Sequence, residues 1–281
     1  MWKQKIGISI GNRYPVPMAE VIALLARIGF DAVSPEWSPN ADLAEIAEAA
    51  RDCGQMLQSL HAPFGKAAGM WSDDPEIASA AKADVLCALE DAHRFQIPVL
   101  VVHTWIGFHY IFGNPEHGFR NFGEIVERAA AYGVKIAFEN TEGDEYLYAL
   151  MEHFSGNDTV GFCWDSGHEM CYNHSRDLLH DFGDRLIMTH LNDNLGISRF
   201  DGKTYWTDDL HLLPYDGIAD WAYNIERLKK SRKLEILNFE LGRTSKPNRH
   251  ENDAYSRMSL EEYYTEAYKR ACRIAWRYAQ E

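Results

Sequence analysis

Short apolar runs alternate along this chain with longer segments in which apolar residues recur at helical spacing. The runs are rich in β-branched and aromatic residues, as in PVLVV at 98–102 and VKIAF at 134–138, which is typical of buried parallel strands. They predict eight strands, over 6–10, 32–34, 56–60, 98–102, 134–138, 160–164, 186–189 and 234–239. The longer segments predict helices over 17–28, 41–53, 76–95, 119–132, 145–154, 176–181, 218–230 and 260–278.

This alternation defines the expected fold class. Eight strand–helix units without a linker or a repeat predict an α/β protein, a closed (β/α)8 TIM barrel forming a single domain over 1–281. An open doubly wound sheet would more often carry a glycine-rich phosphate turn after its first strand. The stretch GISIGNRYP has only Gly7 and Gly11, which is no such fingerprint. The loop at 62–75 is rich in proline and glycine, so we predict no regular structure there.

Polar side chains follow several of the predicted strands. Glu139 ends the strand at 134–138, and a bare carboxylate there would be costly, so it needs a cation or strong hydrogen-bond donors. Alone, such a glutamate is more often part of a salt bridge, and a single strand-end histidine is more often simply hydrogen-bonded. The repetition of the design favours a functional site. The further candidates are His61, His103, Asp165, His168, His190 and Glu240, with Asp209 and His211 in the loop after the seventh strand.

In a barrel the carboxyl ends of the strands converge on one face, so these nine side chains are expected to lie together. All of them offer oxygen or imidazole donors and none offers a thiolate. Such donors suit zinc, manganese, cobalt or iron, and the pattern separates neither these ions from one another nor magnesium from them. The sequence therefore predicts a divalent-metal site at this face.

Composition and charge narrow the class of partner. The formal charge is −14, from 28 basic and 42 acidic residues, which opposes binding to nucleic acid. Five cysteines without a CxxC pair indicate reduced thiols. The start, MWKQKIGISIG, is too short in its apolar part for a signal peptide, and no apolar run reaches membrane-spanning length. We expect a cytoplasmic protein that binds neither nucleic acid nor membrane.

A set of motifs in a fixed order resembles the xylose isomerase-like TIM barrel superfamily, in the sugar phosphate isomerase/epimerase branch that is related to ketose 3-epimerases and endonuclease IV. The motifs are Leu60-His-Ala-Pro-Phe64, Val102-His103, Phe138-Glu-Asn140, Asp165-Ser-Gly-His168, His190-Leu-Asn-Asp193, Asp209-Leu-His-Leu-Leu-Pro214 with Gly217, and Glu240. They extend from the third strand to the eighth, and their order and spacing make the resemblance specific.

The resemblance implies two uses of these residues. In the ketose 3-epimerases one divalent metal is held by the residues matching Glu139, Asp165, His190 and Glu240, and the two glutamates also move the proton. In endonuclease IV three zinc ions take all nine positions, including those of His61, His103, His168, Asp209 and His211. The resemblance also suggests a homodimer or a homotetramer.

The remaining sequence features favour the sugar enzymes. The loops at 63–74, 104–117 and 194–215 carry few basic residues, so they are unsuited to gripping duplex DNA. Aromatic residues there, Trp105 among them, would either pack the loops or form a wall for a sugar ring. Arg243, three residues past Glu240, would either hold a carboxylate or phosphate or form a surface ion pair.

We therefore expect a metal-dependent isomerase or epimerase of a small sugar or cyclitol, in which Glu139 and Glu240 move a proton next to a carbonyl. The alternatives are a cyclitol or shikimate-type dehydratase of the same superfamily and a multi-zinc phosphodiesterase. We also expect one tightly held ion, with Asp209 and His211 poorly preorganised for metal because they lie in a long polar loop.

Overall fold

Parallel strands form the inner layer of this protein, whose computed structural model describes residues 4–12, 14–173 and 176–280. All of the predicted strands are present, with ends shifted by one or two residues. The strands are β1 Lys5–Ile10, β2 Ala32–Pro35, β3 Met56–Leu57, β4 Leu60–His61, β5 Val99–His103, β6 Lys135–Glu139, β7 Val160–Asp165, β8 Leu186–His190 and β9 Ile236–Phe239.

The strands form two curved parallel sheets, in the orders β3-β2-β1-β9 and β4-β5-β6-β7-β8. Two isolated parallel bridges join the sheets at their edges, Glu36 with His61 and Leu191 with Phe239. The strand predicted over 56–60 is split between the two sheets. Its first part, β3, pairs with β2, and its second part, β4, pairs with β5. Together β3 and β4 count as one staggered strand, so the ring has eight members, and the predicted TIM barrel is confirmed.

Helices cover the outside of the ring. They are α1 Met18–Ile28, α2 Leu43–Asp52, α3 Pro75–Arg94, α4 Glu116–Tyr132, α5 Asp144–His153, α6 Ser166–Cys171, α7 Leu178–Phe182, α8 Trp221–Lys230, α9 Asp253–Ser256 and α10 Leu260–Tyr278, with short 3-10 helices at Ala67–Trp71, Gly183–Arg185 and Trp206–Asp208. In the described part of the chain, no helix is both long and apolar enough to cross a membrane.

One local prediction was wrong, and helices α6 and α9 were missed. The loop at 62–75 contains the 3-10 helix Ala67–Trp71, which is held because the indole of Trp71 donates a hydrogen bond to the carbonyl of Thr104 at 2.7 Å. Helix α6 was not predicted at all. It begins directly after β7 because the Asp165 carboxylate accepts a hydrogen bond from the backbone N–H of His168 at 2.7 Å, an N-cap that leaves no room for a loop.

Alternation along the strands decides which side chains enter the barrel. Outward residues such as Leu100, Ile136 and Phe162 belong to the large core under the helices, whereas inward residues form a separate small cluster. That inner layer consists of Val101, Ala137, Cys163 and Met188. Because successive side chains in a strand point to opposite faces, the residue two positions further along each strand also points inward, one layer higher.

Candidate metal centre

The layer above the small inner cluster is made of polar side chains. Two positions past Val101, Ala137, Cys163 and Met188 stand His103, Glu139, Asp165 and His190. Strand pairing sets them side by side, with His103 opposite Glu139 and Asp165 opposite His190. The same two-residue period that builds the core therefore delivers the candidate site to the carboxyl end of the barrel.

Four donors meet at the centre of this layer. Glu139, Asp165, His190 and Glu240 each offer a ligand atom, and these atoms lie within 4.8 Å of one another. His190 Nδ1 is 2.8 Å from Glu139 Oε1 and 3.1 Å from Glu240 Oε2. The side chain of Glu139 is fully buried, while that of Glu240, which follows β9, is 18% exposed. Three carboxylates and an imidazole in one buried cluster fit a divalent cation.

Two further histidines approach the other oxygen of Glu139. His61 Nε2 lies 3.1 Å and His103 Nε2 lies 3.3 Å from Glu139 Oε2. Thus the structure brings both predicted side chains to the same carboxylate, and the ring of His61 also stacks on that of His190, with centroids 5.7 Å apart.

Three of the histidines share an arrangement that is typical of metal ligands. The Nδ1 atoms of His61, His168 and His211 donate to the backbone carbonyls of Ala62, Asn140 and Glu240, at 2.8, 2.9 and 3.1 Å. Their Nε2 atoms face carboxylates, Glu139 for His61 and Asp209 for the other two. Since a carboxylate only accepts hydrogen bonds, each Nε2 needs a proton or a cation between it and the oxygen. The ring nitrogens of these three residues are therefore chemically suited to bind a metal.

The charges of the cluster support one another. Burial alone would raise the pKa of Glu139, but His190 and His103 outweigh it and hold that pKa well below its usual value. Burial is likewise outweighed at Glu240, where His190 and then His211 lower the pKa to about 2. Glu139 and Glu240 are therefore ionised at neutral pH, whereas burial raises the pKa of Asp165.

The imidazoles carry the balancing charge. At His211 burial opposes ionisation, but Asp209 raises the pKa to about 9. At His190 burial is outweighed by Cys163 and by the two glutamates, which raise the pKa well above its usual value. His103 differs, because burial dominates and lowers its pKa. Without a metal, protonated imidazoles neutralise the carboxylates, and a divalent cation could replace those protons.

Asp165 is positioned by asparagines that follow β6 and β8. The Asn192 side-chain amide donates to both oxygens of Asp165, each at 3.1 Å. Asn140 accepts from the Asp165 backbone N–H at 2.8 Å and donates to the Asp165 carbonyl at 2.9 Å. A Cβ atom on Gly167 would meet Asn192 Oδ1 at 1.9 Å, so glycine is needed for this close approach.

Asp209 and His211 are held by more contacts than the sequence predicted. His211 Nε2 lies 2.9 Å from Asp209, and His168 Nε2 lies 3.6 Å from Asp209 Oδ1. The loop is fixed by a two-way backbone pairing between Asp193 and Leu212, 2.9 Å in each direction. The prediction that a long polar loop would leave these side chains poorly preorganised was therefore wrong, because the loop pairs with the segment after β8.

A cavity of about 730 Å³ opens above the cluster. His61, His103, His168, Asp209, His211 and Glu240 line it, and Phe64, Ile106, Phe108, Tyr172 and Trp206 contribute apolar surface. Glu36, Glu142 and Lys246 also line it and were not predicted. Glu36 directly follows β2, so the strand-end rule could have found it. Lys246 lies on an irregular loop, and no sequence pattern indicates where its side chain points.

Two predicted substrate-binding residues are not among those lining this cavity. Trp105 stacks on Tyr146 with ring centroids 4.1 Å apart, and its indole donates to the Gly107 carbonyl. Arg243 donates to the Met258 carbonyl at 2.7 Å and lies over the ring of Tyr263. Both side chains are engaged in packing, so we do not assign them to substrate. Of the aromatic loop after β5, Phe108 is the ring that reaches the cavity.

The chain is similar in sequence to known proteins. A family model described as xylose isomerase-like TIM barrel matches residues 22–263. An uncharacterized protein of Sinorhizobium fredii, y4fM, is 35% identical over 128 residues, which cover 43% of this chain and 38% of that relative. An uncharacterized protein of Methanocaldococcus jannaschii, MJ1311, is 26% identical over 168 residues, which cover 54% of each chain. The chain therefore spans about half or less of the length of these relatives.

Solved structures match over nearly the whole chain. A structure of IolI protein with a binding zinc atom superimposes with a TM-score of 0.76 at 16% identity, covering 96% of this chain and 98% of that one. D-psicose 3-epimerase from Clostridium cellulolyticum H10, solved with D-tagatose, gives a TM-score of 0.72 at 16% identity, covering 96% and 99%. At this identity the likeness establishes the fold, and function has to be argued from the site.

Proposed function

Because this chain belongs to the xylose isomerase-like TIM barrel family, we propose that it is a divalent-metal-dependent sugar isomerase or epimerase. The observation that carries the proposal is the cluster of Glu139, Asp165, His190 and Glu240, whose ligand atoms lie within 4.8 Å of one another below a cavity lined by both polar and apolar side chains. In our proposal these four residues hold the ion. A bound divalent cation supplies Lewis-acid polarisation of a carbonyl oxygen.

The two glutamates have unequal access to the cavity. Glu240 lines the cavity, whereas Glu139 lies beneath it against His61 and His103. We propose that one carboxylate removes the proton from the carbon next to the carbonyl, and that the other returns a proton from the opposite face. That exchange inverts the carbon and is an epimerisation. Return to the adjacent carbon, with the hydroxyl proton moving to the carbonyl oxygen, is an isomerisation.

The cavity suits a small neutral polyol. His61, His103, His168 and His211 bring imidazoles to its wall, and a substrate hydroxyl group could replace a carboxylate as the partner of Nε2. Phe64 and Phe108 supply flat apolar surface for the carbon skeleton. Lys246 is already paired with Asp209 at 3.1 Å, and Arg243 is engaged elsewhere, so an anionic substrate group would find no free cation among the described lining residues. A sugar or a cyclitol is the proposed substrate class.

Exchange with heavy water tests the reaction. The metal-loaded protein is incubated in heavy water with a panel of ketoses that includes D-psicose and D-tagatose, the sugars named for a structural neighbour. We expect carbon-bound deuterium in the recovered sugar and in a new epimer or isomer. Glu240→Gln should give neither, while Glu152→Gln, a glutamate exposed on α5, should behave as wild type.

Other products would favour the alternatives. A cyclitol or shikimate-type dehydratase begins with the same proton abstraction, so loss of water to a conjugated product would replace the isomerase proposal with a lyase. Metal-dependent cleavage of a phosphodiester would favour a multi-zinc hydrolase. Absence of carbon-bound deuterium with every sugar and cyclitol, under zinc, manganese, cobalt, iron and magnesium alike, would overturn the proposal.

A further inference from the structure

A second group of metal-competent donors lies beside the first. Asp165, His168 and His211 offer ligand atoms within 4.8 Å of one another. Asp209 adjoins them, since its carboxylate lies 2.9 Å from His211 Nε2 and 3.6 Å from His168 Nε2. Taken alone, these two carboxylates and two imidazoles could hold another divalent cation. The chain therefore has donors for more than one ion.

Lys246 already supplies a cation at this second group. Its Nζ atom lies 3.1 Å from Asp209 Oδ2, and the side chain is 27% exposed. The same Nζ lies 5.7 Å from the ring centroid of Trp206, a cation–π contact. Among the described residues that line the cavity, Lys246 is the one lysine or arginine.

The loop that carries Lys246 is anchored rather than free. The side-chain amide of Asn252 donates to the carbonyls of Gly242 and Leu210, at 2.7 and 3.0 Å. The hydroxyl of Ser245 donates to Asp253 at 2.7 Å and accepts from the backbone N–H of Asn252 at 3.1 Å. These bonds tie the segment after β9 to the loop that holds Asp209. The backbone beside Lys246 is thus anchored, and Asp209 and Trp206 hold its ammonium group.

We propose that Lys246 is a built-in cation that limits this centre to one metal ion. Its ammonium group pairs with Oδ2 of Asp209, beside the Oδ1 atom that faces His168 and His211, and its positive charge repels a second ion at these donors. The first group of donors stays available to one ion, because Lys246 contacts none of those four side chains. This inference goes beyond the reaction proposed above and relies only on the metal centre, so it can be tested without a substrate.

Counting metal ions in matched variants tests the proposal. Lys246→Met keeps the length of the side chain and removes the charge, Lys246→Arg keeps the charge, and Lys246→Gln is a second neutral variant. Lys66→Met is the control, since Lys66 is 56% exposed and pairs with Asp84 outside the cavity. Each protein is loaded with zinc, dialysed, and measured by elemental analysis and native mass spectrometry.

We expect about one zinc per chain in the wild type, Lys246→Arg and Lys66→Met, and about two in Lys246→Met and Lys246→Gln. Thermal unfolding checks that each variant is folded. One ion in both neutral variants would reject the role of Lys246 while leaving the metal centre intact. Two or three ions in the wild type would also reject it. A wild type without tightly held metal would overturn the metal centre as well.

Discussion

The centre has two halves that are built in different ways. Glu139, Asp165 and His190 stand on strands, where the backbone ladder of the barrel fixes them. Asp209, His211 and Lys246 stand on loops and are fixed by side-chain and cross-loop bonds instead. These three strand residues, with Glu240 directly after β9, form the floor of the centre, and Asp209, His211 and Lys246 belong to the wall of the cavity together with His61, His103 and His168. We infer that the floor holds the ion and the wall selects what else enters.

The largest loss of activity should come from replacing Glu139 or Glu240. We predict that Glu139→Gln and Glu240→Gln each reduce kcat by about 10²–10⁴-fold or more, because each residue is proposed to bind metal and to move a proton. Activity assays with the metal in excess, and circular dichroism to confirm folding, provide the measurement. A rate near that of the wild type in either variant would contradict the two-glutamate mechanism.

A smaller loss should follow when a floor residue is only misplaced. Asn192→Ala removes the amide that donates to both oxygens of Asp165. We predict that metal affinity falls about 10–100-fold, the usual cost of losing an outer partner of a ligand. Competition with a chelator of known affinity measures this loss. An unchanged affinity would mean that Asp165 is not a ligand or is held by other contacts.

Changes in the wall should be milder still and should leave the metal in place. We predict that His168→Gln lowers kcat/KM severalfold, equivalent to about 1 kcal/mol for one hydrogen bond to substrate. Metal content should stay as in the wild type. His180→Gln, on the exposed face of α7, is the control and should change neither quantity. Loss of the ion in His168→Gln would mean that His168 belongs with the residues that hold the ion.

Duplex DNA should be neither a ligand nor a substrate. The formal charge of −14 opposes phosphate binding, and a wall whose one lysine is paired with Asp209 offers little to a phosphate backbone. We predict neither binding nor cleavage of an abasic duplex at physiological salt, measured by gel shift and nicking assays. Cleavage that is lost with a chelator and with Glu139→Gln would support a multi-zinc hydrolase instead.

The two halves also differ in how far the sequence could predict them. Strand-end residues such as Glu139 and His190 were predictable, because a two-residue period and a shared barrel end determine both direction and proximity. Glu36 obeys the same rule and was overlooked. Lys246 was not predictable, since the direction of a loop side chain depends on bonds such as those of Asn252.

Arg243 and Trp105 show the same limit of sequence-based prediction, because both were predicted at the site and neither lines the cavity. Each lies close in sequence to a strand end that belongs to the site, yet each turns into protein packing, toward Tyr263 and Tyr146 respectively. Distance along the chain fixes the position of the backbone but leaves the side chain several directions. For residues on loops, the neighbours that decide between those directions come from distant parts of the sequence.

Anomalous diffraction at the zinc edge, from crystals of the zinc-loaded protein, tests the central claim most directly. The account predicts one strong peak within about 2.0–2.2 Å of donor atoms from Glu139, Asp165, His190 and Glu240. Lys246 should remain against Asp209, with no peak between His168 and His211. A peak held by His61, His103 and Glu139 without Glu240, or two or more peaks of equal strength, would contradict a centre in which the floor alone holds the ion.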